Sequence, residues 1–115
     1  MKNSTLLSAT ESGVCSLVEP GPNVAQGIVS RAVLTTPGLR LTLFHFAAGQ
    51  ELSEHTSKAR ALVQILSGVC HFTVGGGLHV LKAGDLLHLP PGAPHAVAAS
   101  ETFSMLLTQA TESPT

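Results

Sequence analysis

The chain has 115 residues, 43% of them hydrophobic and only 11% charged, with a formal net charge of −1. That length makes one domain, able to bury roughly 65% of its unfolded surface without disulfides or a structural metal, so any metal would serve function rather than folding. The few Lys and Arg are dispersed and form no basic patch, which excludes nucleic acid and anionic membrane surfaces as expected partners; the apolar composition favours extensive burial, a subunit interface included.

The opening MKNSTLLSATESGVCSL holds no apolar run of signal-peptide length, and no later stretch approaches the ~18 apolar residues of a spanning helix. The expected location is cytoplasmic. Cys15 and Cys70 lie far apart in no CxxC pair and read as reduced packing groups.

Residues 1–26 read as an N-terminal arm, with residues 1–12 frayed, a short possible edge strand over Val14 to Val18, and a turn or extended linker forced by Pro20-Gly21-Pro22. Gly27 to Thr35 is rich in β-branched residues and reads as a strand, closed by a turn at Pro37-Gly38. Leu39 to Ala47 follows as a strand apolar on both faces, with Leu39, Leu41, Leu43 and His45 on one and Phe44 and Phe46 on the other. Such a strand is expected to be covered on both sides, and parity alone leaves the face of His45 open.

Beyond Gly49, strands alternate with turns: Leu62 to Leu66, Val69 to Val74, a hairpin turn at Gly75-Gly76-Gly77, Leu78 to Leu81, Asp85 to Leu89, a rigid bend Pro90-Pro91-Gly92-Ala93-Pro94, then His95 to Ala98 and Thr102 to Thr108, with a polar tail over 109–115. Only Lys58 to Leu66 imitates a helix, and its β-branched content and closing Ser-Gly argue for strand. The three glycines precede no helix and no Lys-Ser/Thr, so they make a hairpin rather than a phosphate cradle. The chain is expected to be all-β.

Two stretches carry a further signal: GQELSEHTSKARALVQILSG from Gly49 to Gly68, and GDLLHLPPGAPH from Gly84 to His95. Their spacing resembles the two motifs of the small single-domain cupins, RmlC-like proteins whose fold is a double-stranded β-helix, a jelly-roll barrel of two sheets. Gly49, His55 and Gly68 fall on the first motif, and Gly84, Pro90, Gly92 and His95 on the second; its final Asn position holds Ala99. The resemblance spans about residues 27–108 and implies a cupin barrel there, paired as a homodimer.

In metal-binding cupins the first motif supplies two histidines and a glutamate and the second one histidine. Carried over, His55 and His95 are retained, while the second histidine is Ser57 and the glutamate is Ala61. A first-row metal needs three or four strong donors, so His55 and His95 make an incomplete set for the iron, nickel, manganese or zinc the family holds. The expectation is no tightly bound metal. Small residues at Ser57 and Ala61 enlarge a pocket that Val63 and Ile65 make apolar, which suits a small organic ligand.

A metal-dependent oxygenase or isomerase remains the alternative, with a third ligand from His45, His71 or His88. Gln64 points away if Ala61, Val63 and Ile65 face inward, and His79 and His88 read as ordinary strand histidines. Lys58 and Arg60 read as solvated loop charges. The metal-free epimerase branch pairs a histidine with a carboxylate, and Glu51 and Glu54 flank His55, but alternation makes an inward Glu54 awkward.

Overall fold

The computed structural model describes residues 5–18 and 27–111. Among these the chain forms nine strands and no helix: β1 (Ile28–Thr36), β2 (Leu39–Phe46), β3 (Glu51–His55), β4 (Arg60–Ser67), β5 (Val69–Val74), β6 (Gly77–Lys82), β7 (Leu86–Leu89), β8 (His95–Ala98) and β9 (Phe103–Ala110). They build two antiparallel sheets, one in the order β1-β2-β9-β4-β7 and the other β3-β8-β5-β6. No helix is long and apolar enough to cross a membrane among the described residues.

Strand alternation places the core between the sheets. On β4, Ala61, Val63 and Ile65 are buried while Leu62 and Gln64 are exposed, as period two requires. Cys70 and Phe72 of β5 meet them from the opposite sheet, while His71 faces away. Phe46 and Phe103, directly opposite on β2 and β9, stack with ring centroids 4.6 Å apart. Gly75 and Gly76 both have positive φ, the requirement of a two-residue hairpin whose twist matches its strands.

Several boundaries differ from the sequence reading. β3 was not expected: ELSEH lacks β-branched and aromatic residues, and four of its five side chains are exposed. β4 starts at Arg60, so that residue belongs to a strand rather than a loop. β9 runs through Ala110, which brings Gln109 out of the expected polar tail and into the sheet.

The arm is also different. Instead of fraying throughout, it docks on β1, where the Leu6 and Leu7 N–H groups donate to the carbonyls of Ala32 and Val33 at 3.1 and 2.8 Å. A register shift between Ala32 and Leu34 leaves Val33 without a β2 partner, which frees its carbonyl for the arm. The strand expected over Val14 to Val18 is not formed. The turn expected at Pro20-Gly21-Pro22 lies outside the described residues.

Candidate functional site

The two retained histidines meet at one end of the smaller sheet. His55 closes β3, His95 opens β8, and the two are directly opposed across the strand pair. Their ring centroids lie 4.2 Å apart with planes inclined at 63°. Phe72 stacks beside His95 at 6.0 Å and 24°.

Each imidazole is tied to its own chain by the same nitrogen. His55 Nδ1 lies 2.9 Å from the Ser53 carbonyl oxygen, and His95 Nδ1 lies 2.9 Å from that of Ala93. A carbonyl only accepts, so each Nδ1 carries the proton and donates it. In the neutral ring Nε2 then keeps its lone pair, and it is the nitrogen left for an occupant.

The proline-rich bend sets His95 in place. The Gly92 N–H donates to the Ser57 carbonyl at 2.8 Å, the Ala93 N–H to that of Pro90 at 3.1 Å, and the Gly75 N–H to that of Pro94 at 3.0 Å. Gly92 has a φ of 84°, a conformation that favours glycine. The bend is thereby fastened both to the loop after His55 and to the β5–β6 hairpin.

Both histidines line a cavity of about 170 Å³ between the sheets. Its wall is mainly apolar, with Phe44, Leu52, Phe72, Leu89, Met105 and Leu107 contributing, and no Lys, Arg, Asp or Glu among the described residues reaches it. Ser57 and Ala61 line it. Val63 and Ile65 do not: they are packed at 0% and 1% exposure in the core, beyond the end of the cavity.

Beside the histidines, the cavity's polar groups are Ser57 and Gln109. The Ser57 hydroxyl already accepts from the Ala59 N–H at 3.2 Å. Gln109 was not among the expected site residues. It lies opposite Ala61 on β9, and the period-two series Met105, Leu107, Gln109 would have found it had the strand been carried past Thr108.

The residues present do not fit the family's metal centre. Among the described residues, no group of three or more His, Cys, Asp or Glu side chains could hold a metal ion. His45 lies on the outer face of the larger sheet beneath the arm. His71 is on the outer face of its sheet, His79 is exposed, and His88 accepts from Arg60 Nη1 at 2.8 Å on the surface. Glu51 and Glu54 are exposed and do not line the cavity, and neither does Lys58. Cys70 is no nucleophile, since burial pushes its thiol up to about 12.

Residues 42–108 match the family described as the cupin domain. Among solved structures, a conserved protein of unknown function from Streptococcus pyogenes is 28% identical, with a TM-score of 0.79 over 97% of this chain and 98% of that one. A cupin superfamily protein from Desulfitobacterium hafniense is 27% identical, with a TM-score of 0.73 over 83% and 84%. A cupin 2 conserved barrel domain protein from Leptotrichia buccalis is 34% identical, with a TM-score of 0.72 over 83% of this chain and 45% of that one. The search of curated proteins found no match.

Proposed function

The chain belongs to the cupin family, and from that premise we propose that its barrel binds a small, largely apolar organic molecule that donates hydrogen bonds to His55 and His95. The observation that carries this reading is the pair of imidazoles, each fixed through Nδ1 with Nε2 left over, and both lining the cavity. Nε2 accepts, so the ligand must donate, through a hydroxyl or an N–H. No side chain of fixed charge among the described residues lines the wall, so a neutral ligand is favoured over a carboxylate or an ammonium.

Size narrows the class. The cavity of about 170 Å³ is below the ~300–1,000 Å³ of drug-sized sites and near the ~150 Å³ that accommodates benzene. A single substituted ring or a short branched chain matches it. The protein acts as a binding module in this reading, in a reducing compartment in keeping with its free cysteines.

A second reading, metal-dependent oxygenase or isomerase chemistry, is favoured by the same backbone-anchored imidazoles, because metal-ligating histidines are oriented that way. Gln109 would have to supply a third donor. Metal content of the untagged protein, beside the His55→Ala/His95→Ala double variant, separates the two. Ligand uptake by metal-free protein that is lost in the double variant is the expected result; about one metal per chain, lost in that variant, would replace it with the second reading.

A further inference from the structure

The inner face of β2 ends on a charge. By period two, the side chains it turns toward the opposite sheet are Phe46, Phe44, Thr42 and Arg40. A charged residue on such a face is uncommon unless a partner meets it. β2 lies between β1 and β9, so Arg40 guards no sheet edge. Among the described residues it makes no ion pair.

Directly opposed residues of antiparallel strands share a face, and Gln109 of β9 opposes both Arg40 of β2 and Ala61 of β4. These three form one row across the larger sheet. Ala61 and Gln109 line the barrel cavity. Gln109 and Ala59 also line a second hollow, of about 210 Å³, walled by Thr36, Leu39, Arg40 and Thr111. The two spaces therefore adjoin at Gln109 and Ala59. The Thr111 N–H is spent on the Gly38 carbonyl at 3.0 Å, and the Thr36 hydroxyl donates to the Leu39 carbonyl at 3.3 Å. Arg40 and the Gln109 carboxamide are the side-chain donors left to an occupant, and no Asp or Glu among the described residues lines the hollow.

Two adjoining compartments of opposite character select a molecule of two parts. An acid group drawn into the apolar cavity would lose its hydration with no cation to meet it. At Arg40, which is exposed, it keeps water and gains a charge-assisted hydrogen bond. Guanidinium and carboxylate match as planar forks. We propose that the hollow beside Arg40 and Gln109 is a carboxylate subsite. The ligand is then an amphiphilic acid, with a small neutral head bearing a hydroxyl or N–H in the barrel and its carboxylate held at the mouth. This rests on the barrel-binding reading and narrows its ligand class.

Calorimetric titration of the full chain with para-propylphenol and with para-hydroxyphenylpropanoate, which share a ring and a three-carbon chain, isolates the effect of the acid group. The acid is expected to bind about fivefold to tenfold tighter, as one partly exposed charge-assisted pair gives, and high salt should shrink that advantage. Arg40→Gln should erase it while leaving para-propylphenol binding unchanged. Arg31→Gln, at an exposed position on the outer face of the same sheet, should preserve it. Gln109→Met should weaken the acid more than the phenol. An acid that binds no tighter than the phenol, or an advantage that survives Arg40→Gln, would overturn the inference and leave barrel binding standing. An advantage that emerges only in Glu112→Gln would assign Arg40 to the chain's own next acidic residue and overturn it likewise. Absence of para-propylphenol binding, or binding unchanged in His55→Ala/His95→Ala, would remove the barrel-binding reading and this inference with it.

Discussion

Gly68, between β4 and β5, is where the chain passes from one sheet to the other, at a φ of +78°. A Cβ there would collide with the Thr102 carbonyl oxygen and lie 2.7 Å from Phe103 Cα, so both backbone conformation and space require glycine. Gly68→Ala should cost about 3 kcal/mol or more. Gly76→Ala, at a φ of +88° with nothing within 4 Å, should cost only about 1 kcal/mol; equal costs in urea titrations would show that φ alone matters at Gly68. Cys70, at 0% exposure, tests the core differently. Its thiol is pushed from 9.0 up to about 12 by desolvation, so the unfolded chain ionises first as pH rises. Its contribution to stability is full below pH 9 and is lost between 9 and 12. Thiol reagents at pH 8 should modify Cys15 and spare Cys70, and fast modification of both would contradict that burial.

At the scale of elements, the strands most legible in sequence are those with strong alternation or β-branched content. β4 follows ALVQI residue by residue, and β5 and β6 follow from the glycines between them. β3 was illegible because its five residues hold almost no apolar signal; it is a strand because β8 pairs with it and because His55 must oppose His95. β2 and β9 were legible as strands, but not the stacking of Phe46 on Phe103 that joins them. Both rings are 0% exposed, and Phe103→Ala should cost about 3–5 kcal/mol in equilibrium unfolding. Phe46→Ala together with Phe103→Ala should cost less than the sum of the single changes, by about 0.5–1.5 kcal/mol for the lost ring pair. Strict additivity would mean that the rings contribute only their burial.

For the whole molecule, the two sheets enclose a core that is packed at one end and open at the other. The filled end holds Phe46, Phe103, Ile65 and Cys70, and the open end holds the histidine pair. A ligand that binds only the folded barrel stabilises it by mass action, about 2.7 kcal/mol at a hundredfold excess over Kd. A thermal-shift screen of small neutral phenols, alcohols and amides should therefore find compounds that raise Tm by several degrees, with the shift lost in His55→Ala/His95→Ala. A screen in which only carboxylates raise Tm would contradict the neutral-ligand reading.

The sequence by itself determined the all-β class and most of the strands and turns along the chain, because these rest on local alternation and on glycine and proline geometry; motif spacing singled out His55 and His95 as candidates, and strand pairing set them opposite each other. It also determined that Ser57 and Ala61 withdraw two donors from the family's metal set. Tertiary structure alone decided which histidines share a space: His45, His71, His79 and His88 sit on strands too, but sheet pairing turns each away from the cavity. It likewise decided that Gln109 enters the cavity while Val63 and Ile65 pass into solid core, since that depends on how far along each strand the opposing sheet closes. A side chain's face is set by its own strand, but its depth is set by the strand across from it.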